Sequence, residues 1–221
     1  VGSLIAEANR VGEIRGYAQH PAVELNYNDP DVDLGDGIGI GLLTVTKTLY
    51  NEAEPRTSTI QIVKGDILSD MAHYMAQSEQ VLSAFLLDVS LKDNGDVKQA
   101  GGLLIKRLPD TDEFIMKKLE KTLQGLSPVS ELLEQGNYID SIMKKASKPF
   151  TIRELDRQPV HFFCRCSPDR FKNALALLNH KDLEELEGED QEMVCHYCGN
   201  RHVVTEKEIN QIAESARAKL N

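Results

Sequence analysis

The stretch VLSAFLLDVSLKDNGDVKQAGGLLIKRL, residues 81–108, decides the fold class. Two apolar runs flank KDNGD, and Asn94-Gly95 is a strong signal for a tight β-hairpin turn. A hairpin here commits the chain to antiparallel pairing. Working outward toward residue 1, LLTVTKTLY (42–50) and TSTIQIV (57–63) alternate apolar and polar side chains with the strand period of two. LIAEA (4–8) and EIRGYA (13–18) flank a turn at Asn9–Gly12. Between these strands, GDILSDMAHYMAQSEQ (65–80) places Ile67, Met71, Tyr74 and Met75 on one helical face. The mixture predicts an α+β fold built on a mostly antiparallel sheet.

Past Pro109 the pattern turns helical. In DTDEFIMKKLEKTLQG (110–125), Asp110 with Glu113 reads as an N-cap pair and Gly125 as a stop. SPVSELLEQG (127–136) offers Ser127 as cap, Pro128 at the first helical position and Gly136 at the end. NYIDSIMKKASK (137–148) reads as a third short helix. Short helices are marginal alone, and Leu119, Leu123, Leu132, Leu133, Ile139, Ile142 and Met143 need a surface to lean on. Residues 109–159 are therefore expected to be a helical, metastable connector after a core domain over 1–108. The opening VGSLIAEANR has no Met and begins in mid-strand, so part of that core domain is expected to be missing.

Residues 160–221 form a separate module, and it holds all four cysteines. HFFCRCSPDR (161–170) places Cys164 and Cys166 one residue apart; MVCHYCGN (193–200) places Cys195 and Cys198 two apart. Ser167 caps a helix with Pro168 in its first turn, and Thr205 with Glu208 forms a capping box. The seven acids of HKDLEELEGEDQE (180–192) read as a solvated face. A disulfide framework would spread cysteines to staple distant segments. Two close pairs suit a metal or redox centre in a reducing cytoplasm. Zinc favours four tetrahedral ligands and takes thiolate readily, so Cys164, Cys166, Cys195 and Cys198 are the expected Zn2+ ligands. His161, His196 and His202 lie close by, but four sulfurs already complete the shell. A module this poor in large apolar residues needs such a crosslink, and structural zinc supplies about 10–16 kcal/mol of apparent binding energy. Cys-x-Cys is uncommon in a purely structural ribbon. A disulfide within it closes a tight ring that is easily reduced, which favours reversible redox chemistry.

Other features exclude functions. The net charge is -10 and the pI about 5.1, a balance that repels phosphate backbones and argues against nucleic-acid binding. No apolar run is long enough to cross a membrane. GDGIGIG (35–41) is followed by strand-like sequence, where a phosphate-binding loop would need a helix. Ser78, Glu79 and Gln80 read as a helix terminus. No enzyme active site is evident. Two alternatives stay open: a structural zinc ribbon on a binding module, and a thiol–disulfide oxidoreductase using Cys195 and Cys198.

Together, Cys-x-Cys, a helical insert, Cys-x-x-Cys-Gly-Asn and the preceding His-Phe-Phe resemble the C-terminal redox switch of the heat shock protein 33 family. GDILSDMAHYMAQSEQ, AGGLLIKRLP and VGSLIAEANRVGEIRGYA are similar to parts of that family's first domain, so the resemblance covers nearly the whole chain. It implies a cytoplasmic, ATP-independent holdase chaperone of the stress response. Cys164, Cys166, Cys195 and Cys198 would bind zinc in the reduced, inactive state. Peroxide with heat, or hypochlorous acid, would convert them to disulfides with loss of zinc. The connector would then unfold, the protein would form a homodimer, and apolar surface would capture unfolding client proteins. Neighbour pairing, Cys164 with Cys166 and Cys195 with Cys198, belongs to that expectation; four cysteines allow three connectivities and sequence does not choose among them.

Overall fold

The computed structural model describes residues 1–25, 32 and 34–218. Its elements run β1 (Leu4–Ala8), β2 (Glu13–Ala18), α1 (Leu34–Ile38), β3 (Leu42–Lys47), β4 (Arg56–Gln61), α2 (Ile67–Gln77), β5 (Ser83–Leu91), β6 (Val97–Lys106), α3 (Glu113–Gln124), α4 (Val129–Glu134), α5 (Ile139–Ala146), β7 (His161–Phe162), α6 (Pro168–Leu175), α7 (His180–Glu184), β8 (Gln191–Val194), β9 (Arg201–Val204) and α8 (Glu206–Ala218). Strand pairs are antiparallel except β2 with β7. The α+β reading with a mostly antiparallel sheet holds. By contacts the chain divides into two units: residues 1–22 with 157–221, and residues 23–156. No helix among the described residues is long and apolar enough to cross a membrane.

In the unit of residues 23–156, the β5–β6 hairpin turns at Asn94-Gly95, with Gly95 at φ 86°. β3 pairs with β4, and α2 packs on β5. The apolar face expected of α2 buries Tyr74 and Met75, while Ile67 stays exposed at the first turn. Asp66 caps α2, and buried Asp70 accepts the backbone N–H groups of Val63 and Lys64 at 2.8 and 3.1 Å. Ser78 and Glu79 do more than end this helix. Ser78 bonds Ser58 on β4, and Glu79 accepts from Tyr74 Oη at 2.7 Å and pairs with Lys47 on β3. The GDGIGIG segment holds the single-turn α1 and then leads into β3.

The three connector helices form where expected, with two changes at their starts. Asp112, not Asp110, caps α3, accepting from Phe114 N at 2.8 Å. A turn closed by Thr111 N–H to Leu108 O delays the helix by two residues, and Asp110 takes φ 64° within it. Ser127 caps nothing: Pro128 occupies the cap position of α4 and has no capping side chain. Asp88 on β5 takes that role from across the fold, accepting the Ser130 N–H at 3.0 Å and the Ser130 hydroxyl. Beside it, Val129, Leu132 and Ile142 form a small core with Leu86, Leu126 and Leu133. Gly101 on β6 leaves room for this contact, since a Cβ there would stand 2.7 Å from Val129 Cγ1 and 3.0 Å from Leu133 Cδ1.

The unit of residues 1–22 and 157–221 has its own core, Leu175, Val204 and Ile209, with Phe171, Leu186, Met193 and Ile212 against it. Both expected caps are present: Ser167 accepts from Arg170 N, and the Thr205 N–H and hydroxyl both donate to Glu208 at 3.0 Å. The β1–β2 hairpin, placed by sequence at the start of the core domain, belongs to this unit with the cysteines.

Candidate metal centre

The two cysteine pairs come from different local structures. Cys164 and Cys166 lie between β7 and α6. Phe163 N–H continues the β7 pairing onto Ile14 O at 3.1 Å, and alternation along extended chain turns residues 164 and 166 one way and 165 the other. Arg165 accordingly reaches Glu13 on β2, donating from Nε at 3.1 Å. Cys195 and Cys198 lie in the turn between β8 and β9. Cys195 N–H bonds Asn200 O at 2.9 Å and Gly199 N–H bonds Cys195 O at 2.8 Å. Gly199 takes φ 71° to close this knuckle, a conformation in which a Cβ is strained.

These segments bring the four sulfurs within 4.8 Å of one another. Cys164 Sγ lies 3.5 Å from Cys195 Sγ, and Cys166 Sγ lies 3.4 Å from Cys198 Sγ. Thiolates about 2.3 Å from a tetrahedral ion stand about 3.8 Å apart, so the donor set fits one zinc-sized ion. All four thiols are free; Cys195 is buried and the others are half-buried. Burial opposes ionisation of Cys195, but the backbone N–H groups of Cys198 and Tyr197 and the neighbouring thiols outweigh it and bring its pKa to about 7. The hydrogen bond with Cys198, then burial, pushes Cys166 up to about 12. None of the three nearby histidines belongs to the group of close donors. His196 meets Tyr17 edge-on, and His202 packs on Phe171 with Nε2 buried and unpartnered.

Sequence reasoning missed the residues that hold the knuckle. Tyr197 Oη donates to Glu7 Oε1 at 2.8 Å, the Arg15 guanidinium lies 4.1 Å from the Tyr197 ring centroid, and Tyr17 meets that ring edge-on at 4.9 Å. The bond from Tyr197, followed by that from Arg15, holds the Glu7 carboxyl below its ordinary range. Burial, then the bond to Glu7, pushes the Tyr197 phenol up to about 12. The only hint in the sequence is the alternation in β1 and β2, which puts residues 7, 15 and 17 on one face. The oxidoreductase alternative needs Cys195-His196-Tyr197-Cys198 at a strand-to-helix junction; the motif lies instead in a strand-to-strand turn.

An α+β chain whose two cysteine pairs converge into a four-sulfur group able to hold one metal ion defines a class of tetracysteine-centre proteins. The family model described as Hsp33 protein matches residues 1–205. A "33 kDa chaperonin" of Levilactobacillus brevis is 34% identical over 99% of this chain and 75% of its own length. One from Carboxydothermus hydrogenoformans is 37% identical over 97% of this chain and 74% of its own. The crystal structure of the 33 kDa chaperonin (heat shock protein 33 homolog) from Thermotoga maritima superposes with a TM-score of 0.82 at 28% identity, covering 97% of this chain and 78% of that one. The chain belongs to the Hsp33 family. Its relatives carry the name of a chaperonin.

Proposed function

We propose that this protein is a redox-regulated, ATP-independent holdase whose four cysteines hold Zn2+ when reduced. The observation that carries this reading is the convergence of Cys164, Cys166, Cys195 and Cys198 to within 4.8 Å from two segments far apart in the chain. Bound zinc would supply a crosslink between those segments that the small core around Val204 does not provide alone. On oxidation, each pair of thiolates would give two electrons to one peroxide, which takes two protons from solvent and leaves as two waters; a sulfur–sulfur bond forms and the zinc would be released. Sulfurs tied in disulfides offer no thiolate to a metal, so the two segments lose their common crosslink. We assign the pairs as Cys164–Cys166 and Cys195–Cys198. Peptide mapping of oxidised protein is expected to yield crosslinks within each motif; crosslinks only between motifs would contradict the assignment.

The same reading makes residues 109–159 a metastable connector between the core domain expected over 1–108, whose first hairpin groups with the cysteine module, and a redox-switch domain over 160–221. Support comes from the helices: α3 buries no residue, and α4 has six residues. Phe114, Tyr138 and Ile139 are already exposed, and unfolding would add the buried Val129, Leu132 and Ile142 to a surface able to hold unfolding client proteins. The active form would be a homodimer acting in the cytoplasm under oxidative stress. Light scattering of a heat-unfolding test enzyme decides the matter. Reduced, metal-loaded protein should leave aggregation unchanged, and oxidised, metal-free protein should suppress it. Equal suppression by both forms, or by neither, overturns the proposal.

A further inference from the structure

The sulfur cluster is bracketed by a single hairpin. β2 meets the Cys-x-Cys limb through backbone pairing of Glu13 and Ile14 with His161 and Phe162, and through the Glu13–Arg165 ion pair. Two residues further on, the same strand meets the Cys-x-x-Cys limb: Arg15 lies over the Tyr197 ring and Tyr17 contacts both Tyr197 and His196. β1 completes the seat. Glu7 stands directly opposite Arg15 in the register, and its two oxygens divide between Tyr197 Oη at 2.8 Å and Arg15 Nε at 2.6 Å. Residues 15 and 17 share one strand face with Glu7 across from them, and 13 lies one step along it. Tyr197 lies between the two cysteines of the knuckle, so a hold on its ring is a hold on both sulfurs.

We propose that the β1–β2 hairpin is a clamp across the cysteine centre, gripping one limb through Glu13 and the other through Tyr197. The inference rests on the redox reading above and adds a second support to it. A metal at the cluster and the hairpin join the same two limbs in parallel. Once each limb carries its own disulfide, the clamp and the core that Phe171 and Leu175 share with Val204 still join them, and the clamp, which grips at the cysteines themselves, sets how readily the centre comes apart. The hydrogen bond between Glu7 and Tyr197 is one shared element of this scheme, lost whichever partner is changed.

The test uses the whole chain with Y197F, E7Q and the double variant; Y197F keeps the ring and its stacking while losing the hydroxyl. In reduced, zinc-loaded protein, release of zinc to a colorimetric chelator should be about fivefold faster in each single variant, the effect of losing one half-exposed hydrogen bond to a charged group. The double variant should be no faster than either single one. In oxidised protein, amide hydrogen exchange across residues 161–166 and 194–204 should rise by a similar factor in the variants. Wild-type rates in Y197F, or single effects that multiply in the double variant, overturn the clamp. Its failure is separable from that of the holdase reading. Oxidised wild-type protein that suppresses aggregation while Y197F exchanges like wild type leaves the holdase and sinks the clamp. Oxidised wild-type protein that suppresses nothing sinks the holdase, and exchange in the variants still decides the clamp.

Discussion

Glu208 closes the ring that starts α8, accepting from Thr205 and from Lys172 Nζ at 2.8 Å. Lys172, then the Thr205 N–H, pulls its carboxyl pKa from 4.5 down to about 2. A carboxyl depressed by folding stabilises the folded state fully above its unfolded value and loses that contribution as pH falls toward the folded one. E208Q should therefore melt below wild type at pH 7, and the gap in thermal midpoint should narrow from about pH 5 and close near pH 2. Cys195→Ser removes the one buried sulfur of the four; on the zinc reading, metal content measured on purified protein should fall well below one equivalent. At this scale the sequence spoke clearly where partners are neighbours: Ser167, Thr205–Glu208 and the two cysteines within each motif were readable, and the shared chemistry of four sulfurs linked the motifs. It was silent where they are distant. Glu7 and Tyr197 are 190 positions apart, and nothing in either segment names the other. Asp110 and Asp112 show a subtler failure, since both can cap a helix and only the preceding turn chooses.

Among the elements, α4 shows how a short helix persists. Six residues cannot hold a helix by themselves. Asp88 satisfies its start, Gly101 makes room for Val129 and Leu133, and Glu134 pairs with Lys98 at 2.8 Å and Ser90 at 2.7 Å. Gly101→Ala should drive a methyl into Val129 and cost about 1–3 kcal/mol. Asp88→Ala strands the Ser130 N–H and should cost about 0.5–2 kcal/mol. Both are expected to lower the denaturation midpoint and speed amide exchange over 129–134; if the seat governs activation, both should lower the oxidant dose at which aggregation is suppressed. Unchanged exchange would separate α4 from the switch. Periodicity and turn chemistry located these helices and the β5–β6 hairpin well, because both are local signals. The seat was not legible, because Asp88 and Gly101 look like ordinary strand residues until the helix lies on them.

For the molecule as a whole, the expectation concerns metal removal. Stripping the ion from reduced protein should loosen residues 157–221 and the β1–β2 hairpin together, visible as joint loss of amide protection, while the β5–β6 pairing keeps its own. The composition and cysteine spacing pointed to this centre, and the grouping of residues 1–22 with 157–221 lay beyond them. That grouping has a bearing on biosynthesis. A ribosome delivers the chain from one end, and domains ordinarily fold as they emerge. Here the first strands must wait, through synthesis of more than a hundred intervening residues, for the knuckle that completes their sheet face. Contacts so remote in order form slowly. Nascent chains halted before residue 195 should show the hairpin more open to protease than chains that carry the knuckle.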